Sequence, residues 1–118
     1  MTLAGLSLLK VGKKVFPMIL AIDIGGTQFS LLISTLEGRI VKRANGRTNR
    51  VAGADWMVNQ VLEVGRKLLD ASPEPIKACG IGFGGPVDFE TQRIIKSTHV
   101  SGWDDFPLPK VLQKELGI

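Results

Sequence analysis

The chain has 118 residues, of which 44% are hydrophobic and 22% are charged, so it can form one folded domain and is not biased towards disorder. Its net charge of +4 is too mild to imply a nucleic-acid partner, and we expect none. The single cysteine, Cys79, excludes an intrachain disulfide framework and permits a reducing cytoplasm, where we expect the protein to reside. Because Cys79 lies at the start of a predicted buried strand, we interpret it as an inert core thiol.

Residues 1–17 are interpreted as an N-terminal extension ahead of the first predicted strand. Leu3 to Leu9 is apolar but short, and lysines follow this run, whereas a secretory signal carries its charges first. The run is also too short to span a bilayer, so we expect no membrane partner. A helix lying on a membrane surface remains a minor alternative.

The first predicted elements are two short apolar strands joined by a glycine turn. Met18 to Ile22 has the pattern of a buried strand, and Phe29 to Ser34 is a second run of strand length. Between them, Asp23 ends the first run with a carboxylate, and Gly25-Gly26 reverses the chain. One interpretation is an ordinary β-hairpin, since Gly-Gly is a common hairpin turn.

The same turn also has the chemistry of a phosphate-binding hairpin. Glycines lack a Cβ, so the backbone N–H groups at Gly25 and Gly26 can approach an anion closely. Thr27 adds a hydroxyl donor, and Asp23 can hold a hydrated Mg²⁺ ion. The sequence contains no Walker-type Gly-x-x-x-x-Gly-Lys pattern, which excludes a P-loop. We favour phosphate binding because Asp-x-Gly-Gly-Thr is more specific than a bare Gly-Gly turn.

Ile40 to Ala44 predicts a third, more polar strand within the densest cluster of basic residues. The cluster consists of Arg39, Lys42, Arg43, Arg47 and Arg50. Charge along a strand favours a solvated sheet edge that resists mispairing. A weak contribution to attracting phosphate is the alternative.

A long amphipathic helix follows, with Asp55 as its predicted N-cap. Its apolar stripe recurs at helical spacing and consists of Met57, Val61, Val64 and Leu68. Ser72-Pro-Glu-Pro75 ends the helix, and Ile76 to Phe83 predicts another buried strand. Three strands, a crossover helix and a further strand predict an α/β fold with a mixed sheet, whose last strand is parallel to the first.

The remaining chain begins with a turn at Gly84-Gly85-Pro86. Asp88 to Arg93 predicts a hairpin tip, and a final helix begins near Pro107 and ends at Gly117. A tight turn without any ligand is one interpretation of the two glycines. Glycines at a strand end also let a sugar ring approach the backbone, which is the interpretation we favour.

Four stretches resemble known protein families. Ile22-Asp-Ile-Gly-Gly-Thr27 resembles the first phosphate motif of the actin-like ATPase superfamily. Three later stretches, Cys79 to Asp88, Ile94 to Thr98 and Gly102 to Leu108, are similar to the matching region of the ROK family of bacterial sugar kinases and sugar-responsive repressors. The resemblance extends from about Met18 to the last residue. It implies that residues 18–118 form a ribonuclease-H-like lobe at the N-terminus of a glucokinase-like enzyme.

The resemblance also implies roles for individual residues. Asp23, Gly25, Gly26 and Thr27 would bind the phosphates of ATP, with Asp23 holding Mg²⁺ through water. Gly84 and Gly85 would line a sugar pocket, and Thr98 stands where the family can present a hydroxyl to the sugar. For Thr98, a purely structural role is equally compatible with the sequence. The lone His99 has no metal-ligand partner in the sequence, so we expect it to be structural or solvent-facing.

The resemblance ends before the family's catalytic motif. In ROK kinases the catalytic aspartate lies in a Glu-Asn-Asp-Ala-Asn-type segment after a helix like Leu108 to Leu116, and that segment would begin beyond Ile118. We therefore assign no catalytic base, and we expect structural zinc only in the part that is absent from this sequence. We expect the isolated chain to be inactive and the full-length protein to be a homodimer acting on ATP and a hexose.

Two alternatives to a kinase remain open. A ROK repressor would carry a helix-turn-helix domain ahead of the phosphate motif, and only 22 residues precede Asp23. The chain could also be a non-catalytic orphan fragment. The sequence does not identify the sugar.

Overall fold

The computed structural model describes residues 16–118 as one α/β unit, so most of the predicted extension over residues 1–17 lies outside the described residues. The elements in chain order are β1 (Met18–Ile24), β2 (Gln28–Thr35), β3 (Ile40–Arg47), α1 (Gly53–Ala71), β4 (Ile76–Phe83), β5 (Val87–Asp88), β6 (Arg93–Ile94) and α2 (Leu108–Leu116).

Four of the strands form a mixed sheet in the order β3-β2-β1-β4. The pairs β1–β2 and β2–β3 are antiparallel, whereas β4 lies parallel to β1 after the α1 crossover. This arrangement confirms the predicted fold class, with antiparallel opening strands followed by a parallel strand. Ile24 pairs with Phe29 at the end of the first hairpin, so the glycine turn projects from one end of the sheet.

The hydrophobic core lies between one face of this sheet and the two helices. Alternate residues of β1 and β2 point to this face and are 3% exposed or less: Leu20, Ile22, Ile24, Phe29, Leu31 and Ile33. Helix α1 covers them with its apolar stripe, in which Met57 and Val61 are almost fully buried. Since side chains alternate along a strand, Asp23 is on the opposite face and is exposed there.

Two predicted details at element ends are wrong. β1 continues to Ile24, so Asp23 lies within the strand and does not end it. Helix α1 has Ala52 at its N-cap position without a side-chain cap, and Asp55 lies inside the first turn. The reason is a tertiary contact: the Ala54 N–H donates to the Ser101 carbonyl at 2.8 Å and so satisfies a donor that a cap would otherwise bind.

The prediction that β4 is a buried strand has the right bounds but the wrong burial. Within the described residues β4 is an edge strand, and its Ala78, Gly80 and Gly82 are exposed. The alternate residues Cys79 and Ile81 are half-buried beside α2, where they help to line grooves of about 330 and 250 Å³. The strand, which is apolar except for Lys77, is therefore half-buried on one face and exposed on the other.

The helices of the described part offer no segment with the length and hydropathy of a membrane span.

Candidate functional site

The glycine turn at the end of the β1–β2 hairpin presents two neighbouring backbone donors. The Gly25 N–H donates to the Gln28 carbonyl at 2.9 Å and closes the hairpin. An ideal Cβ on Gly25 would also lie 2.9 Å from that oxygen, so a side chain would disrupt the closure. Among the described residues, the N–H groups of Gly26 and Thr27 have no hydrogen-bond acceptor. They are therefore available to bind an anion.

The carbonyl groups of the same turn are all bound by the loop after β3. The Thr48 hydroxyl donates to the Gly25 carbonyl, and the Thr48 N–H donates to the Thr27 carbonyl, both at 2.9 Å. Arg50 Nε donates to the Gly26 carbonyl at 2.9 Å. Sequence reasoning assigned Thr48 no role and placed Arg50 only in a basic cluster. Thr48 and Arg50 are more than twenty residues from the turn along the chain, so the local sequence contains no signal for these contacts.

Asp23 lies beside this turn on the sheet face that α1 does not cover. It pairs with Gly82 of β4, and an ideal Cβ on Gly82 would lie 3.3 Å from Asp23 Oδ1. Glycine at position 82 therefore leaves room around the carboxylate. Within residues 16–118, His, Cys, Asp and Glu side chains form no group of three that could hold a metal ion. A single exposed carboxylate fits an ion that keeps most of its water, as Mg²⁺ does.

The second pair of glycines contacts the first. The Gly84 N–H donates to the Ile24 carbonyl at 2.9 Å, and an ideal Cβ on Gly84 would lie 3.7 Å from Gly25 Cα. Gly85 is tightly enclosed, because its Cβ would lie 3.1 Å from the Lys96 carbonyl oxygen. The structure thus brings the predicted phosphate-binding and sugar-binding glycines to the same end of the sheet.

The segment around Thr98 lies against these glycines through its two neighbours. Ser97 and His99 line a narrow cleft together with Gly25, Gly26 and Gly84. The His99 ring is exposed, and its Cδ2 lies 3.2 Å from the position of an ideal Cβ on Gly26. Thr98 is exposed and does not line the cleft. Its predicted role in sugar binding stays a prediction.

The other aspartates of this region have different environments. Asp88 Oδ1 accepts hydrogen bonds from the N–H groups of Glu90 and Thr91, and Asp105 forms an ion pair with Arg93 at 2.6 Å. Neither these two nor Asp104 lines the cleft between the glycine segments. The larger grooves of the described residues lie beside β4 and α2, and the larger of the two shares only Phe83 with the cleft.

Comparison with known proteins identifies the family. The model of the ROK family matches residues 19–118. The glucokinase of Thermotoga maritima is 27% identical over 99 residues, which cover 84% of this chain and 31% of the glucokinase. The chain spans less than a third of the length of the curated relatives that it matches.

Solved structures share the fold. A ROK family glucokinase from Streptomyces griseus, in complex with glucose and AMPPNP, superposes with a TM-score of 0.74 at 23% identity, covering 86% of this chain and 31% of that one. A ROK family transcriptional regulator, a homolog of the E. coli MLC protein, gives the same TM-score of 0.74 at 15% identity, covering 86% of this chain and 26% of that one. Because the family model extends over 100 of the 118 residues, the chain belongs to the ROK family and corresponds to the N-terminal part of its sugar kinases.

Proposed function

We propose that the chain is the phosphate-binding part of an ATP-dependent hexose kinase, which transfers the γ-phosphate of ATP to a sugar hydroxyl. The observation that carries this proposal is the meeting of two glycine segments. Gly25, which directly precedes the unused N–H groups of Gly26 and Thr27, lies next to Gly84, which belongs to the predicted sugar-binding segment. Relatives named as glucokinases, and a structural neighbour with bound glucose and AMPPNP, support the same substrates.

Each residue has a defined role in the proposal. The turn Gly25-Gly26-Thr27 binds phosphate oxygens through its N–H groups and the Thr27 hydroxyl. Asp23 would hold Mg²⁺ through coordinated water, and the ion would supply positive charge that offsets the charge of the phosphates. Gly84 and Gly85 are assigned to the sugar site, and Thr98 would offer the sugar a hydroxyl. These residues orient the two substrates, which is the larger part of catalysis in phosphoryl transfer.

Other parts of the reaction are assigned to the remainder of a full-length ROK protein. The relatives are more than three times as long as the matched segment. We assign to that remainder the base that accepts the proton of the sugar hydroxyl, and any structural zinc. We also propose that the full-length protein is a cytoplasmic homodimer.

A sugar-responsive repressor is the second candidate, because a ROK transcriptional regulator shares the fold as closely as the glucokinase does. The fold alone does not separate the two activities. The kinase is favoured by the glucokinase relatives and by the donor pair at Gly26 and Thr27, for which a repressor that binds only sugar and DNA has no use. Nucleotide binding separates the candidates.

The test is calorimetric titration of the 118-residue chain with Mg·ATP. We expect binding with a Kd of ~1 mM, about −4 kcal/mol, since one lobe provides half of the nucleotide pocket. Asp23→Asn should weaken Mg·ATP binding about tenfold, because it removes the ligand of the hydrated ion, and should not weaken metal-free ATP binding, because it also removes a negative charge beside the phosphates. The matched control is Asp104→Asn, an equal charge change outside the cleft, which should alter Kd less than about twofold.

If Mg·ATP at about ten times that Kd gives no binding heat and no change in the NMR chemical shifts of the chain, the proposal is contradicted. An equal effect of Asp23→Asn with and without Mg²⁺ would remove the metal role of Asp23.

A further inference from the structure

The two available donors of the glycine turn belong to peptide groups whose carbonyls are bound on the other side. The N–H of Gly26 and the carbonyl of Gly25 form one planar peptide unit, and the N–H of Thr27 and the carbonyl of Gly26 form the next. In a trans peptide the N–H points away from the carbonyl. Fixing the two carbonyl oxygens therefore fixes the directions of both N–H groups.

Two side chains from one loop make those contacts. The Thr48 hydroxyl binds the Gly25 carbonyl, and Arg50 Nε binds the Gly26 carbonyl, each at 2.9 Å. A glycine-rich turn has more backbone freedom than any other, so external restraint is needed to hold its peptide planes. These two contacts restrain the same two planes that carry the available donors.

The loop that provides Thr48 and Arg50 is itself held at both ends. The Thr48 N–H donates to the Thr27 carbonyl, which ties the start of the loop to the turn. Asn49 Oδ1 accepts from the N–H groups of Val51 and Ala52 at 3.1 and 3.2 Å, which closes the loop just before α1. The loop can therefore act as a support for the turn.

Arg50 also adds charge to the turn. A cationic donor on the Gly26 carbonyl polarises that peptide group and makes the Thr27 N–H a stronger donor. The side chain is exposed, and only its Nε makes a hydrogen bond among the described residues.

We propose that Thr48 and Arg50 are positioning residues for the anion-binding turn, with Arg50 also polarising the peptide group between Gly26 and Thr27. The role of these contacts in anion binding rests on the proposed kinase function. The contacts themselves, from Thr48 and Arg50 to the turn, are present in the ligand-free chain. Its test therefore has one readout without ligand and one with ligand.

The ligand-free readout is the carbonyl ¹³C chemical shift of Gly25 and Gly26, which reports hydrogen bonding at each oxygen. Thr48→Val removes the hydroxyl at constant shape and should move the Gly25 carbonyl signal, while Thr48→Ser should restore it. Arg50→Gln should move the Gly26 carbonyl signal and the Thr27 amide signal. Unchanged carbonyl signals in folded Thr48→Val and Arg50→Gln would overturn the positioning role.

The second readout is affinity for inorganic tripolyphosphate and for Mg·ATP. We expect Arg50→Gln to weaken both about tenfold, because a charge-assisted contact is lost together with the fixed Thr27 donor. Thr48→Val should weaken both about threefold, and Thr48→Ser less than twofold. The charge control is Arg39→Gln, which removes the same charge at the opposite end of β2, ~26 Å away, and should change affinity less than about twofold.

Equal losses for Arg50→Gln and Arg39→Gln would show that only net charge matters and would overturn the role of Arg50. If the unmodified chain binds neither tripolyphosphate nor Mg·ATP, the proposed function fails, and the carbonyl signals still decide whether Thr48 and Arg50 hold the turn.

Discussion

The ring of Phe29 on β2 covers Gly46 on the neighbouring strand β3. The two residues are paired in register, and a Cβ built on Gly46 would overlap the ring. Phe29 is only 3% exposed, so it cannot move aside without leaving the core. Glycine at position 46 is therefore required by the packing of an aromatic residue and not by a turn.

Gly46→Ala should consequently lower the free energy of unfolding by about 1–3 kcal/mol, the usual cost of forcing an extra methyl group into a packed site. Urea denaturation followed by circular dichroism measures the change. The matched control is Gly80→Ala on β4, where a Cβ would meet nothing within 4 Å, and which should change stability by less than about 0.5 kcal/mol. Similar losses at both positions would show that strand conformation, and not the Phe29 contact, determines the effect.

Replacement of Trp103 should destabilise the fold strongly. Trp103 is 1% exposed and makes edge-to-face contacts with Phe83 and Phe106, with ring centroids 5.0 and 5.1 Å apart. Trp103→Leu leaves a cavity and removes both aromatic contacts, so we expect a loss of about 2–4 kcal/mol in urea denaturation. Trp56→Leu serves as the control, because Trp56 is half-buried at the core margin and should lose less. A smaller loss at Trp103 than at Trp56 would contradict this account.

Cys79 should make stability depend on pH in the alkaline range. Burial raises the pKa of its thiol from 9.0 to about 11, because the thiolate is poorly solvated there. The folded state thus holds the thiol proton more tightly than the unfolded state. The resulting stabilisation is fully present below pH 9 and is lost as the pH rises towards 11. The urea midpoint of the unmodified chain should therefore fall relative to that of Cys79→Ala as the pH rises from 9 to 11.

The same thiol should react slowly with iodoacetamide. At a given pH the raised pKa leaves a smaller fraction of the thiol as thiolate, which slows alkylation. The higher nucleophilicity of a more basic thiolate offsets part of this loss, so we expect a rate about tenfold below that of an unfolded cysteine. Alkylation in urea provides the reference rate. Equal rates in the folded and unfolded chain would show that burial does not affect this thiol.

The 118-residue chain should show no kinase turnover. Within the described residues, Asp88 and Asp105 already have hydrogen-bond partners of their own, and neither lines the cleft at the glycine segments. Transfer to a sugar also needs substrates enclosed between two lobes. A coupled assay with ATP, Mg²⁺ and a panel of hexoses should therefore match the blank without protein. Turnover above that blank, abolished by Asp23→Asn, would overturn the prediction.

Much of the fold could be predicted because its signals are local. Apolar runs and the helical repeat of α1 placed the strands and the crossover helix, and Pro and Gly placed their ends. The parallel pairing of β4 with β1 followed from the intervening helix. The Asp55 cap and the burial of β4 were predicted wrongly, because the carbonyl of Ser101 and the position of β4 in the sheet are long-range facts.

The sequence by itself determined the family and the fold class, because the glycine motifs and the periodic apolar runs that identify them are local features of the chain. Only the tertiary structure decided which peptide donors remain available and what orients them. Thr48 and Arg50 reach Gly25 and Gly26 from more than twenty residues along the chain, and the pairing of β2 with β3 brings them there. These hydrogen bonds form only once β2 and β3 are paired in register, so the residues around Thr48 and Arg50 carry no local signal for them.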